Sequence, residues 1–413
     1  MNWWETDFVA VRDNRLHIAG SEAAALAERY GTPLYVYSKD RILERYARLD
    51  DAFARHSSIP ARICYAMKAN SHRGILRLLQ KRGAWIDAVS PCEVAAALKA
   101  GFPAERVLFT GTSISRADLR AVFAIEGLTV NIDAAEQLDL MAEVKAEFPA
   151  RTIRVSVRWN PGIGRGFNPK AVTAGKRSAD GMPIKFGVVS RKVLDVFRRA
   201  RRLGFRPVGL HQHLGSGWVR EDFGMVRTAV DRMVHKARDL ERAGFPLEFL
   251  DFGGGFGPRY LKSRGVFPVE DYIGYLSKAV ARAGLSVKAL AIEPGKYLVG
   301  DAGVLLLGVE YVKESYGNIF ACVDGGTFNT VPRPAIYLTA HHEIVNASRV
   351  DGAGKARITV AGNLCETGDV FGRERTMPLP QSGDILAVLC AGAYCRSMAS
   401  NYNLRQIPRE ILI

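Results

Sequence analysis

The chain predicts an α/β fold: a (β/α)8 barrel over residues 36–300 and a β-rich domain built from 301–413 with residues 1–35. Three observations carry this. From residue 62 onward, short apolar runs alternate with amphipathic stretches, the rhythm of a parallel sheet with helical crossovers. The alternation repeats eight times, and eight repeats in about 240 residues suit a closed barrel better than an open sheet. After Gly300 the rhythm changes to strand-like segments separated by Gly, Asn and Pro.

The eight apolar runs are 62–67, 85–89, 106–110, 128–132, 153–159, 208–213, 248–252 and 289–293. Each is short and apolar, as a buried strand is. Between them lie amphipathic stretches at 73–82, 91–100, 115–125, 134–148, 191–203, 221–242 and 269–283. A further helix is expected at 38–55, before the first strand. In the second region, 304–313, 319–323, 357–361 and 384–392 read as strands. The first 35 residues read as short strands and turns. The Gly-, Lys- and Asn-rich stretch from Asn160 to Pro183 fits no element. Its place between the fifth and sixth strands suggests a lid or binding loop, or else plain disorder.

Composition narrows the function. The chain has 413 residues, 48% hydrophobic and 24% charged, with 57 Lys and Arg against 42 Asp and Glu. No run reaches the length of a membrane span, and Met1–Asp7 does not read as a signal peptide. A cytoplasmic protein that engages no membrane is expected. The net charge of +15 raises nucleic acid as a partner. However, the basic residues are scattered, and the densest group, 198–202, reads as a solvated helix end. No nucleic-acid partner is expected; attraction of small anions is the expected consequence. The six cysteines, at 64, 92, 322, 365, 390 and 395, form no Cys-x-x-Cys pair. Neither a disulfide framework nor structural zinc is expected.

Barrel chemistry gathers at the C-terminal ends of the strands. Here those ends carry Lys68, Asp87, Gly111-Thr112, Asp133, Asn160, His213, Gly253-Gly254-Gly255 and Glu293-Pro294-Gly295-Lys296. Lys68 follows an apolar run, where a desolvated ammonium sheds its proton and becomes a nucleophile. Gly253, Gly254 and Gly255 let backbone N–H groups approach a phosphate closely, and Ser216 can donate to the same phosphate. His211-x-His213 raises a metal-dependent hydrolase as a rival. No second His and carboxylate cluster is evident to complete such a site, so no metal is expected. His211 reads as barrel interior, and His213 as a flat partner for an aromatic ring. Together these groups suit pyridoxal 5'-phosphate (PLP). Lys68 would hold its aldehyde and Glu293 would pair with its pyridine nitrogen.

At this point the chain resembles the fold-type III PLP-dependent decarboxylases, and the diaminopimelate decarboxylases in particular. The resemblance is carried by Tyr65-Ala66-Met67-Lys68-Ala69-Asn70, His213-Leu214-Gly215-Ser216, Gly253-Gly254-Gly255-Phe256-Gly257 and Glu293-Pro294-Gly295. In the second region it is carried by Arg333-Pro334-Ala335-Ile336-Tyr337, Cys365-Glu366-Thr367-Gly368-Asp369, Gly392-Ala393-Tyr394 and 397–403. It implies an alanine-racemase-like barrel with a β-rich domain. It implies Lys68 as cofactor anchor and Asp87, His213, Ser216, Gly253, Gly254, Gly255, Glu293, Gly295, Lys296 and Tyr394 around the cofactor. It implies Cys365 as the acid that returns a proton to the substrate carbon, presented across a homodimer to Lys68 of the other chain. Lys296, Arg333, Tyr337, Glu366 and Tyr394 are the implied substrate residues. Arg333 would grip a carboxylate in a fork, and Glu366 would pair with an ammonium. The implied reaction converts the small-molecule amino acid meso-2,6-diaminopimelate to L-lysine and CO2, a step of lysine biosynthesis.

The chain departs from the pattern at Lys296, where arginine is usual. It departs at Ser90-Pro91-Cys92-Glu93, where two glycines usually precede the glutamate, at Thr367, where serine is common, and in the 162–183 loop. Lys296 and that loop keep a rival open: a sibling decarboxylase acting on a D-amino acid or on a carboxylated polyamine or siderophore precursor. A racemase on the same barrel would leave Cys365-Glu366 unexplained. A non-enzymatic regulatory relative would not need Lys68 and Cys365.

Overall fold

The computed structural model describes residues 2–413, which divide into two compact units. One comprises Arg45–Gly257 with Gly265–Gly295. Its eight principal strands follow one another around a closed parallel barrel: Ala61–Ala66, Trp85–Ala88, Val107–Phe109, Thr129–Ile132, Arg154–Asn160, Arg206–His211, Phe249–Asp251 and Ala289–Ile292. Closure comes from the eighth strand pairing with the first, Leu290 against Ala61. Most of these strands are buried along nearly their whole length, as expected when a sheet has side chains packed on both faces.

Inside the barrel, large and small residues alternate. A Cβ on Gly209 would lie 2.4 Å from the Phe249 ring, so glycine on the sixth strand makes room for phenylalanine on the seventh. Phe249 packs with Cys64, Leu108, Val208, Ala289 and Ala291. On the outside, helices follow each strand and are capped in sequence-specific ways. Ser115 and Asp118 close a reciprocal capping box on Arg116–Phe123. Ser90 caps Pro91–Lys99, with Pro91 in its first turn. The Ser90-Pro91-Cys92-Glu93 departure is therefore a helix start. Glu93 turns back to accept the Val89 N–H at 2.7 Å.

The other unit comprises the residues up to Glu44, Pro258–Arg264 and Lys296–Ile413. Its spine is the 13-residue strand Gly303–Ser315. That strand pairs antiparallel with Leu34–Tyr37, Ile385–Val388 and Asn318–Val323. Lys355–Ala361 and Val370–Pro378 extend the sheet, and Arg409–Leu412 adds a strand beside Leu34–Tyr37. Its core gathers Leu16, Ile18, Leu34, Val36, Val304 and Leu306, among others. The first residues hold more than strands and turns. Ala23–Tyr30 is a helix that buries Ala23, Leu26 and Ala27 and ends at Gly31, φ +77°. The helical spacing of those three residues is a single repeat, too little to stand out in sequence.

Candidate active site

The barrel site begins at Lys68. The first strand ends at Ala66, and Lys68 lies in a 3-10 turn, Met67–Ala69, not at the strand end itself. The backbone turns because Asn70 N–H bonds back to Met67 O at 3.1 Å. The Tyr65 hydroxyl donates to Asn70 O at 2.7 Å and pins the turn from below. Gly295 packs against it: a Cβ there would meet the Ala69 Cβ at 3.1 Å and the Ala66 Cβ at 3.3 Å. The Lys68 ammonium, a third exposed, pairs with the fully buried Asp87 Oδ2 from the second strand. Burial, with Glu293 nearby, raises the Asp87 carboxyl; Lys68 pulls the other way.

The sixth, seventh and eighth strands supply a buried group around Glu293. His211 Nε2 lies 3.2 Å from Glu293 Oε1, and His213 Nδ1 lies 3.8 Å from Oε2. Neither His211 nor Oε1 of Glu293 makes an aligned hydrogen bond. Burial opposes the charge on Glu293, but His211, Lys68 and His213 together hold it down at about 2. Glu293 is thus a buried, ionised carboxylate. Asp251, alongside, behaves oppositely: burial and the Glu293 charge push it up to about 8, so it carries a proton at neutral pH. Burial lowers His213 to about 3, which keeps its ring neutral.

Ligand atoms of His211, Asp251 and Glu293 lie within 4.8 Å of one another. Sequence reasoning found no carboxylates to complete a site around His211, and that expectation is corrected. The carboxylates arrive from neighbouring strands far along the chain, which linear spacing does not reveal. Because Asp251 is protonated, the trio offers a single carboxylate to an imidazole.

The glycine triplet is required by close packing. A Cβ on Gly254 would sit 2.1 Å from Glu293 O, and one on Gly255 would sit 2.2 Å from the Trp218 ring. Gly253 and Gly255 have φ of +69° and +136°, conformations that side chains rarely tolerate. The N–H of Gly253 bonds Asp251 Oδ1 at 2.9 Å and that of Gly254 bonds His213 Nδ1 at 3.2 Å. The first two amides are thus committed within the barrel, which narrows the phosphate cradle expected from the sequence. Gly255 accepts from Gly217 and Trp218 N–H, so Ser216 lies in the turn beside it. These residues fit PLP: a buried ionised carboxylate with an unsatisfied oxygen, a neutral imidazole, an amine and a backbone path without side chains.

The unassigned loop has a job. Phe167 N–H bonds Ser216 O at 2.8 Å, Ser216 N–H bonds Ala171 O at 3.1 Å and Thr173 Oγ1 bonds His213 O at 3.0 Å. It braces the His213–Ser216 turn. Sequence reasoning also missed Arg158, a buried arginine on the fifth strand 3.6 Å from Asp133. Its signal was a basic residue in the interior of an otherwise buried strand, Arg154–Asn160. Thr112 donates to Asp133 at 2.7 Å, so two more strand ends meet there.

The second unit gathers a different set. Lys296 opens the short helix Lys296–Val299 and is buried. Its ammonium lies 5.3 Å from the centre of the Tyr394 ring. Burial and the charge of Arg333 press Lys296 well below the usual lysine range. Arg333, also buried, lies over the Tyr260 ring at 4.6 Å and meets His342 Nε2 at 2.9 Å. Tyr337 follows the Arg333 helix and is half-buried. Cys365 and Glu366 are exposed on a loop after Lys355–Ala361. Buried Asp369 ties that loop down by accepting from Thr327 and Leu364 N–H, and Asn403 Oδ1 accepts from Cys365 N–H at 2.9 Å.

Comparison with known proteins agrees with this chemistry. The family model described as "Pyridoxal-dependent decarboxylase, pyridoxal binding domain" matches residues 39–300. The chain is 41% identical over 404 residues to a diaminopimelate decarboxylase of Methanothermobacter thermautotrophicus, covering 96% of this chain and 90% of that protein. The crystal structure of diaminopimelate decarboxylase from M. jannaschii in co-complex with L-lysine superposes with a TM-score of 0.88 at 31% identity, covering 98% of this chain and 93% of that one. The Helicobacter pylori enzyme complexed with L-lysine superposes with a TM-score of 0.85 at 29% identity, covering 94% and 93%.

Proposed function

We propose, for a chain that belongs to the pyridoxal-dependent decarboxylases, that it converts meso-2,6-diaminopimelate to L-lysine and CO2. The observation that carries this is a buried ionised carboxylate, Glu293, together with an amine, Lys68, on the turn after the first strand, the two acting on each other within one barrel. When bound, PLP supplies an aldehyde for the substrate amine and a ring that draws off the electron pair left by departing CO2.

The chain's own residues do the rest. Lys68 anchors the cofactor and must first lose a proton. Asp87 Oδ2, in contact with Nζ and raised by burial, is placed to accept it. Glu293 would keep the pyridine nitrogen protonated, because a carboxylate already charged in a dry site favours a cation beside it. Neutral His213 would leave that proton uncontested. Ser216, Gly255 and Tyr394 would hold the phosphate. Arg333 and Tyr337 take the carboxylate distal to the reacting carbon, Glu366 takes the distal ammonium, and Lys296 adds positive charge. Cys365 returns a proton to the carbon that lost CO2. Its exposed position suits service to Lys68 of a second chain, so the active unit in this reading is a homodimer with shared sites, working in the cytoplasm.

Purified protein with PLP should release CO2 and L-lysine from meso-diaminopimelate. Turnover of another amino acid from a panel, with none of diaminopimelate, would favour the sibling reading that Lys296 motivates. Lys68→Ala should abolish the visible absorbance of the bound cofactor. Mixing Lys68→Ala with Cys365→Ala protein should restore activity; no recovery would rule out the shared site.

A further inference from the structure

His342 stands outside the chemistry described so far, yet it is fully buried. Its Nδ1 lies 2.9 Å from the carbonyl oxygen of Leu389. A carbonyl only accepts, so Nδ1 must carry the ring proton. That carbonyl is held in place by the sheet: Leu389 N–H bonds Glu343 O at 2.9 Å, where Ile344–Asn346 pairs with Ile385–Val388. Burial and the charge of Arg333 keep the imidazole neutral. With one proton, already on Nδ1, the ring presents a bare lone pair at Nε2.

Nε2 lies 2.9 Å from Arg333 Nη1. A guanidinium only donates, so the direction of this hydrogen bond is unambiguous. The Tyr260 ring completes the arrangement. Its centre lies 4.6 Å from the guanidinium carbon and 5.6 Å from the His342 ring, which it meets edge-on at 83°. One edge of the guanidinium is held by an imidazole of fixed tautomer and one face by an aromatic ring. Two such contacts define both the plane and the rotation of a planar fork.

We propose that His342 is a positioning residue that aims Arg333 at the substrate's distal carboxylate through a tautomer locked by the Leu389 carbonyl. This rests on the reading of Arg333 given above and deepens it. A carboxylate taken by two parallel N–H groups is sensitive to the angle of the fork. An arginine on a flexible stem, without this clamp, would lose rotamer freedom on every binding event. The clamp removes that cost beforehand.

The test uses the PLP-loaded enzyme and two ligands. L-Lysine, the product, retains the carboxylate that Arg333 would grip. Cadaverine has the same carbon chain with no carboxylate. In His342→Leu, L-lysine affinity should fall roughly tenfold or more, as for loss of a buried hydrogen bond to a charged group. Cadaverine affinity should stay unchanged. KM for diaminopimelate should rise in parallel, with little change in kcat. His342→Gln, which can offer an acceptor near the position of Nε2, should recover much of the L-lysine affinity. An equal loss of both ligands, or no rescue by glutamine, would show a merely structural residue and overturn the proposal.

Nitrogen-15 spectra of the wild-type histidines at neutral pH supply an independent arm. His342 should appear as the neutral Nδ1–H tautomer; an Nε2–H or doubly protonated ring overturns the proposal and leaves the proposed reaction untouched. Conversely, if Arg333→Ala binds L-lysine as wild type does, the substrate role of Arg333 fails. The tautomer measurement then still judges the clamp.

Discussion

In the barrel, every buried charge named above has an opposite charge close by. Lys68 meets Asp87, Glu293 meets His211, and Arg158 meets Asp133. In the second unit, Lys296 and Arg333 are buried near one another, and the groups acting on Lys296 are Arg333 and Cys395. The first arrangement pairs opposite charges. In the second, burial and the like charge of Arg333 both act against the charged form of Lys296. The contrast separates two tasks. Paired charges hold a protonation state fixed, whereas two basic groups buried near one another favour an anionic ligand.

The largest expected effect breaks the paired side. Glu293→Gln keeps the shape but removes the charge, and kcat should fall about 10²–10³-fold, as when one preorganised electrostatic partner is lost. The absorbance of the bound cofactor should shift at the same time; an unchanged spectrum would detach Glu293 from the ring. On the cationic side, Lys296→Met replaces a buried amine at nearly constant volume. Affinity for L-lysine should fall about tenfold, as for loss of a charged contact; an unchanged affinity would separate Lys296 from the ligand. Lys296→Arg should keep the charge at high pH, where a lysine pressed below its usual value of about 10.4 loses its own. The alkaline loss of L-lysine affinity expected of the wild type should therefore shrink.

A further effect sharpens the comparison inside the barrel. Asp251 is raised to about 8 by burial and by Glu293, against an unfolded value of about 3.9. A raised group adds stability that is complete below the unfolded value and fades as pH climbs toward the folded one. Stability should decline between these two pH values for this reason, and Asp251→Asn, fixed in the neutral form, should flatten the decline. A curve of unaltered slope would show that Asp251 is ionised in the native protein.

Much of the fold was legible because its signal is local. The barrel strands show as short apolar runs and their crossover helices as amphipathic stretches, and each strand end falls at a run's end by construction. Lys68, His213, the glycine triplet and Glu293 could be found that way. The helix Ala23–Tyr30 could not, since one repeat of apolar spacing carries little information. The loop from 162 to 183 was opaque for another reason. Apart from one Thr173 hydroxyl donated to His213 O, its role is a set of backbone hydrogen bonds to Leu214 and Ser216, and backbone groups carry no residue identity.

The sequence by itself determined the repeat that closes into a barrel, the amine at Lys68 and the carboxylate at Glu293. These follow from residue type and periodicity, which any reader of the chain can count; the thiol at Cys365 was implied only by the family resemblance. Only the tertiary structure decided protonation. Asp251 and Glu293 are both acidic residues at the ends of neighbouring strands, yet one is pushed up to about 8 and the other down to about 2. The difference comes from which of them the fold sets between His211, His213 and Lys68. Likewise, a histidine at 342 is visible in the sequence, but its tautomer is set by a carbonyl 47 residues away. Charge state and direction are properties of surroundings, and surroundings exist only once the chain has folded.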